Sequence, residues 1–255
     1  MKKVSDEIKY LLDTEAERIN SKDFIKEDPV QFPRRFSKLE DIEIAALLSA
    51  TIAWGNRKMI CRDCDRMLKL MADDPADFIK ENAFETIDDD MNIHRTFFGR
   101  NLKYWSRGLK RIMVRYGSVE GLGAYKKIAD TPAPAWSLAE ALLKELQAAN
   151  DGHADSRCLP VNLSTSALKR LNMALRWLVR NDGIVDLGVW TVIKPSQLFI
   201  PMDVHVSEVS RELGLIDRKS NDRKAVEQLT EVCRELRPED PAVYDYALFG
   251  IGMKL

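Results

Sequence analysis

The stretch that decides the fold runs from Leu159 to Ile216 and reads LPVNLSTSALKRLNMALRWLVRNDGIVDLGVWTVIKPSQLFIPMDVHVSEVSRELGLI. Leucines recur three or four positions apart in its first half, which is the spacing of a helix that buries one side. A loop rich in glycine, proline and tryptophan follows. Pro201 disfavours helical backbone at Ile200, so an extended arm is expected to deliver Asp203 to the start of a second helix.

The rest of the chain predicts further helices. The segment Ile42–Ala53 carries apolar residues on nearly every face, so we expect this helix to be central and buried. Capping boxes at 37–40 and 137–140 predict two helix starts, and Asp74-Pro75 predicts a third. No alternating apolar pattern predicts a strand. The fold class is therefore all-α, with about nine or ten helices in one large domain or two small lobes.

The composition excludes several classes of function. The net charge of −1 over 255 residues means that any binding of a polyanion must come from a local basic face. Four cysteines argue against a disulfide framework, and three histidines without ligand spacing predict no metal site. No cofactor is expected. The chain has no signal-peptide pattern and no long apolar run, which predicts a cytoplasmic protein without a membrane partner.

A long helix predicted over residues 96–116 carries a basic face. Its cations recur three or four residues apart, so they share one side of the helix. Such a face is either solvated or directed at phosphate groups, and both interpretations stay open. The cations are Lys103, Arg107, Lys110, Arg111 and Arg115.

Lys169 and Asp203 are the candidate catalytic residues. Lys169 shares a helix face with Arg176 and Arg180 beside the buried leucines. Partial burial and two nearby arginines favour a neutral amine, which nucleophilic attack and Schiff-base formation require. Asp203 is expected to cap the second helix, where its fixed charge can stabilise a cation as a glycosidic bond breaks, with His205 facing the same cleft. A surface lysine and an ordinary capping aspartate remain the simpler interpretation.

This pair and its surroundings resemble the helix-hairpin-helix DNA glycosylase superfamily. The resemblance is carried by Lys169 in the helix KRLNMALRWLVR and by the segment IPMDVHV that leads into the next helix. It is nearest to the archaeal-type 8-oxoguanine DNA glycosylases, in which a long insertion also separates the lysine from the aspartate. The whole chain also looks like a bacterial family of unknown function within or beside this superfamily. The resemblance covers about residues 40–255.

The resemblance implies a helix-hairpin-helix DNA glycosylase-like fold, with two lobes around a DNA-binding cleft. The lobes would be residues 40–150 and residues 151–255 plus the N-terminal helix. It also implies a base-excision repair enzyme, a DNA N-glycosylase with AP lyase activity on oxidised guanine in double-stranded DNA. Lys169 would form the Schiff base, assisted by Asp203, without a cofactor.

The resemblance also implies where DNA binds. The helix break after Ala53 is similar to the loop that pushes a residue into the duplex, so Asn56 or Arg57 would be the wedge. Arg176 and Arg180 would contact phosphates. Where the superfamily has a glycine hairpin, this chain reads LPVNLS, and we expect amides of Ser164, Thr165 or Ser166 at the helix start to hold a phosphate instead. Candidates for the base pocket are Trp54, Trp190, Phe199 and His205.

Two interpretations from other functional classes stay open. One is a non-catalytic nucleic-acid-binding module on the same scaffold, which would bind DNA in a salt-sensitive way without cleaving it. The other is a helical protein with a small-molecule or protein partner, in which Lys169 is a surface charge and Asp203 only a helix cap. The sequence predicts no particular oligomeric state.

Overall fold

The structure is a computed structural model that describes residues 4–255. Apart from one small β-hairpin, the described residues confirm the all-α prediction. None of their helices has both the length and the apolar character needed to span a bilayer. The helices are α1 (Asp6–Ile19), α2 (Lys22–Lys26), α3 (Leu39–Thr51), α4 (Arg57–Leu70), α5 (Pro75–Lys80), α6 (Gly99–Tyr116), α7 (Val119–Tyr125), α8 (Pro134–Ala148), α9 (Lys169–Val179), α10 (Val204–Glu212), α11 (Arg223–Leu236) and α12 (Tyr244–Met253).

These twelve helices of the described residues exceed the expected nine or ten. The helices α2, α5 and α7 are only five, six and seven residues long, which is too short to show a clear apolar period. The hairpin, which the sequence did not predict, pairs β1 (Asn92–His94) with β2 (Phe97–Phe98) in antiparallel order. Because β2 takes up residues 97 and 98, α6 begins at Gly99 and not at residue 96.

The described chain forms two compact units. The first unit combines the residues up to Phe24 with Asn162–Leu255, and the second unit is Ile25–Val161. The lobes expected from the sequence, 40–150 and 151–255 plus the N-terminal helix, divide the chain near the same positions. The cleft between lobes and the helix-hairpin-helix character of the fold stay predictions.

Helix α3 is the buried centre of the second unit. All of its residues from Asp41 to Thr51 are buried, as its apolar sequence predicts. The predicted capping box at 37–40 does not form, because Lys38 is the N-cap and its side chain makes no capping hydrogen bond. Here burial of the helix, and not a local cap, holds the start of α3 in place.

Two buried carboxylates on α3 cap the starts of other helices. Asp41 Oδ1 accepts a hydrogen bond of 2.9 Å from the backbone N–H of Ala76 in α5. The two oxygens of Glu43 accept hydrogen bonds of 2.8 and 2.9 Å from the backbone N–H groups of Val119 and Glu120 in α7. The first N–H groups of a helix have no partner within it, so these carboxylates satisfy donors that would otherwise be costly to bury.

Helices α6 and α8 approach each other closely at Gly108. A Cβ atom at this position would lie 2.3 Å from Cδ2 and 3.1 Å from Cα of Leu146, so only glycine fits without movement of α8. Helix α8 itself begins at Pro134, upstream of the capping box predicted at 137–140. Proline suits the first helical position because its φ is already helical and it has no N–H to leave unpaired.

Helix α12 has the corresponding central place in the first unit, since α1 and α10 both pack against it. The contacts are close at two glycines. A Cβ atom at Gly250 would lie 2.5 Å from Cγ1 of Ile19, and one at Gly252 would lie 2.9 Å from Cβ of His205. The positions of α1 and α10 are therefore set by their fit against α12.

Replacement of Glu43 by alanine should remove the carboxylate that accepts from one buried and one half-buried N–H group of α7. We expect the free energy of unfolding to fall by about 3 kcal/mol, since each unsatisfied buried donor costs on the order of 1–3 kcal/mol. Urea unfolding followed by circular dichroism measures this loss. The control is Glu81→Ala at an exposed carboxylate of the same unit, which should change stability by less than about 0.5 kcal/mol. Equal losses in both variants would contradict the capping role.

Candidate active site

Lys169 lies where the sequence predicts, at the first position of α9, and is half-buried. Its Nζ is 3.4 Å from Sδ of Met173, one turn further along the same helix. Within the described residues this amine forms no ion pair. It is therefore held against a thioether, a weak acceptor, and not against a carboxylate.

The residue before Lys169 has an unusual backbone. Leu168 is the N-cap of α9, with φ of 49° and ψ of 34°. This left-handed conformation costs a residue other than glycine about 1–2 kcal/mol, and such strain often occurs beside functional groups. The fully buried Leu168 side chain holds the turn in place and offsets this cost.

Ser164, Thr165 and Ser166 do not lie at the helix start, which corrects the prediction that their amides hold a phosphate there. The Ser164 amide instead donates to Asn162 Oδ1 at 3.2 Å, and Ser166 Oγ accepts from the amide of Leu168 at 3.2 Å. These local side-chain bonds stabilise turns and so compete with helix formation before Lys169. Helix α9 begins only at Lys169, with Leu168 as its N-cap.

Asp203 is the N-cap of α10, as predicted. Its Oδ1 accepts a hydrogen bond of 3.0 Å from the backbone N–H of Val206. The arm that leads to it is fixed by the buried Ile200, whose N–H donates to Oγ1 of Thr230 in α11 at 3.1 Å. Within the described residues Asp203 Oδ2 accepts no hydrogen bond, so one carboxylate oxygen is left for other chemistry.

Asp245, in the first turn of α12, links the two candidate residues electrostatically. Burial raises the pKa of this carboxyl to about 6, against the lowering effect of Arg176. The charge of Asp203 raises the same pKa further and the charge of Lys169 lowers it. Because both charges act on one buried group, Lys169 and Asp203 belong to one electrostatic site. Nothing in the sequence singles out Asp245, because an aspartate in a first helical turn usually only complements the helix dipole.

Arg176 and Arg180 are not placed to contact phosphates, which corrects the prediction from the resemblance. Their side chains are buried, at 3% and 4% exposure. Arg176 forms an ion pair with Asp245 and another, of 3.3 Å, with Asp186. Arg180 pairs with Asp186 at 3.0 Å and with Asp240 at 2.9 Å. The two guanidinium groups therefore neutralise buried aspartates.

An aromatic ring and a further aspartate complete this cluster. The guanidinium carbons of Arg176 and Arg180 lie 4.1 and 5.5 Å from the ring centroid of Tyr246 in α12. Arg180 also forms an ion pair with Asp182, which accepts a hydrogen bond of 2.6 Å from Nδ2 of Asn20 just after α1. The cluster thus ties α1, α9 and α12 together. Its carboxylates are scattered along the chain, so no local motif identifies it.

The base-pocket candidates of the first unit are divided between core and surface. Trp190 and Phe199 are buried, so neither presents a ring face to solvent. The guanidinium group of Arg234 lies 5.7 Å from the Phe199 ring centroid. His205 is exposed at the second position of α10. The two large rings are buried because removal of their apolar surface from water is favourable.

In the second unit, Asn56 and Arg57 lie at the predicted helix break. Asn56 is exposed and caps α4, because its Oδ1 accepts from the N–H of Met59 at 3.2 Å. Arg57 is half-buried and its guanidinium lies 3.6 Å from the carboxylate of Asp28. Of the two wedge candidates, Asn56 is the one whose side chain projects into solvent.

A buried histidine fixes the loop that carries these residues. His94 Nδ1 lies 2.7 Å from Oδ2 of Asp63, and its Nε2 lies 3.0 Å from the carbonyl oxygen of Trp54. The ring is therefore held from both of its nitrogens. Trp54, a base-pocket candidate, is half-buried and packs edge-on against His94 with ring centroids 4.9 Å apart. Burial raises the pKa of Asp63, but hydrogen bonds from Arg62 and His94 lower it, to a net decrease.

Comparison with known proteins identifies one family. A family model described as "Protein of unknown function (DUF2400)" matches residues 28–254. No curated protein and no solved structure matches the chain. The sequence prediction of an uncharacterised family is thereby confirmed, while the relation to DNA glycosylases stays a prediction.

Replacement of Arg176 by glutamine should destabilise the protein strongly, because the buried carboxylates of Asp245 and Asp186 lose a positive charge that neutralises them. We expect a loss of about 3–5 kcal/mol in the free energy of unfolding, which is typical when one partner of a buried ion pair is removed. Urea unfolding measures it, with Lys224→Gln on the exposed face of α11 as the matched control. A loss as small as the control's would mean that Arg176 is a surface cation, as the phosphate prediction requires.

Asp245→Asn should change how stability depends on pH. A carboxyl with a pKa of about 6 when folded, against 3.8 otherwise, takes up a proton on folding between these values. It therefore opposes folding increasingly as the pH rises from about 4 to about 6. The unfolding free energy of the variant minus that of the wild type should rise across this window, as measured by urea unfolding at several pH values. A difference that stays constant or falls between pH 4 and 6 would show that burial does not raise this pKa.

Proposed function

We propose that this chain, which belongs to the DUF2400 family of proteins of unknown function, is a base-excision repair DNA glycosylase with AP lyase activity. One observation carries the proposal: Lys169 and Asp203 begin two successive helices of one unit, and the charges of both act on the same buried carboxyl, Asp245. A shared electrostatic influence on one buried carboxyl supports a common site for the two side chains.

Lys169 is the proposed nucleophile. Its amine attacks C1′ of a nucleotide extruded from the duplex, and the glycosidic bond breaks with its electron pair on the base. The nitrogen, now positively charged, gives one proton to the departing base. Nζ then expels O4′ from C1′, water protonates O4′, and the opened sugar stays joined to Nζ as a protonated Schiff base. Removal of a proton from C2′ then expels the 3′ phosphate by β-elimination. The weak Met173 contact supports this role, because no carboxylate salt bridge has to be broken first.

Asp203 is the proposed stabiliser of the positive charge that develops on the sugar. Its Oδ1 is held by the N–H of Val206, and Oδ2 is left to interact with the sugar or to accept the proton from Lys169. A carboxylate fixed before the reaction needs no reorganisation as the charge develops. Its position depends on the Ile200–Thr230 hydrogen bond, which anchors the extended arm.

The proposed substrate is oxidised guanine in double-stranded DNA, by the resemblance to the archaeal-type 8-oxoguanine glycosylases. Asn56 is the proposed wedge that replaces the extruded nucleotide. It is exposed on a loop that His94 fixes through the Trp54 carbonyl, whereas Arg57 is engaged with Asp28. A rigid loop suits a wedge, because a mobile one would lose entropy on insertion.

Borohydride trapping on an 8-oxoguanine duplex tests the proposal. The wild-type protein should form a covalent adduct that survives denaturation, and Lys169→Ala should form none because it lacks the amine. Asp203→Asn should form the adduct about 100-fold more slowly, which is the usual loss when one electrostatic stabiliser is removed. Lys224→Ala is the matched control for loss of a lysine and should be trapped like the wild type.

The possible outcomes separate the three functional classes. Absence of an adduct with duplexes that carry a range of lesions, or undiminished trapping of Lys169→Ala, contradicts the glycosylase proposal. Salt-sensitive duplex binding without an adduct would support the non-catalytic nucleic-acid-binding module. No affinity for DNA at low salt would support a small-molecule or protein partner.

A further inference from the structure

The basic face of α6 in the second unit borders a concave site. Four cations of α6 line a space of about 390 Å³ together with residues from the segment after α5 and from the end of α8. The sequence left open whether this face is solvated or directed at phosphate. The lining residues are Asn82, Phe84, Glu85, Arg107, Lys110, Arg111, Val114, Arg115 and Ala149.

The site has an excess of positive charge. Arg107 is held by two hydrogen bonds of 2.7 and 2.6 Å to the carboxylate of Glu85. Arg111 donates to Glu145 at 2.8 Å, and the same carboxylate lies 4.0 Å from Arg115. Arg107 is also influenced by the charges of Asp151 and of Asp89, which pairs with Lys103 at 2.8 Å. With Lys103 included, five cations therefore face four carboxylates, which leaves an excess of one positive charge on a chain of net charge −1.

Lys110 is a fixed cation without a carboxylate partner among the described residues. Its Nζ donates to the carbonyl oxygen of Lys80 at 2.8 Å and to Oδ1 of Asn82 at 2.7 Å. Both acceptors are neutral, so they orient the ammonium group without cancelling its charge. One of its three donors is left for a ligand.

An apolar surface lies beside these cations. Val114 is 78% exposed, although it lies in the middle of the cationic face. Phe84, which is buried, and Ala149 border the same space. An exposed valine in a concave site is a surface that a bound ligand can cover. The combination favours a ligand that joins an anionic group to an apolar one.

We propose that this α6 basic site binds the phosphate ester of a nucleotide unit, most simply a backbone phosphate of duplex DNA. Lys110 and Arg115, with the outer face of Arg111, hold the phosphate, and Val114 contacts the sugar. The same chemistry would also accept a free nucleotide. The proposal does not rest on the chemistry of Lys169, because it concerns side chains of the second unit alone.

The double variant Lys110→Gln/Arg115→Gln tests the site in the full-length protein. The probe is a fluorescein-labelled, lesion-free duplex of 16 base pairs, followed by fluorescence anisotropy at several salt concentrations. Affinity near 0.1 M salt should fall about tenfold, and the slope of log Kd against log salt should decrease by about 1, since one neutralised phosphate releases about one counterion. The matched control Lys69→Gln/Lys126→Gln, which removes two exposed cations of the same unit, should change affinity less than twofold.

A second measurement separates the two sources of phosphate. Thymidine 5′-monophosphate is titrated into protein with labelled valine methyl groups, and the Val114 resonance is followed. A shift of Val114 with unchanged duplex affinity in the double variant assigns the site to a free nucleotide. No shift with either probe, or equal losses in the site and control variants, overturns the proposal. Binding of the lesion-free duplex is measured without any trapping step, so a failure of trapping does not affect this result.

Discussion

Buried charge must be paired, and this constraint determines the geometry of the first unit. Arg176 and Arg180 lie one turn apart on α9 and are almost fully buried, so their charges have to be met by carboxylates from elsewhere in the chain. Those carboxylates come from the loop after α9, from the turn before α12 and from α12 itself. The pairing fixes α9 against α12. Helix α10 also packs on α12. The position of α12 therefore determines where α9 and α10 begin, and with them where Lys169 and Asp203 lie.

The features that could be predicted from the sequence are those that depend on neighbours along the chain. The apolar pattern of α3 shows that it is buried, because a helix without a polar face must be enclosed. The caps expected at Asp74 and Asp203 are both present, since a short side chain there reaches an N–H group only three residues away. Helix α9, which begins at Lys169, has no side-chain cap of this kind.

The features that could not be predicted depend on partners distant in sequence. Asp245 and Arg176 are paired across 69 positions, and Glu43 caps a helix start 76 positions away. No local sequence pattern predicts either contact. The backbone before Lys169 is a related case. Leu168 adopts the left-handed backbone that glycine allows more cheaply, and tertiary burial of its side chain holds it there.

Gly108 links the packing of the core to the position of a surface ion pair, two properties that ordinarily vary independently. It lets α6 and α8 meet at Leu146, the residue next to Glu145, which pairs with Arg111 across the same helix contact. A larger side chain at position 108 would push α8 outward and carry Glu145 with it. Substitution of Gly108 would therefore alter both the packing of the core and the arrangement of charges on the surface. Among homologues, positions 108 and 146 should consequently covary in size, with any gain of volume at one matched by a loss at the other.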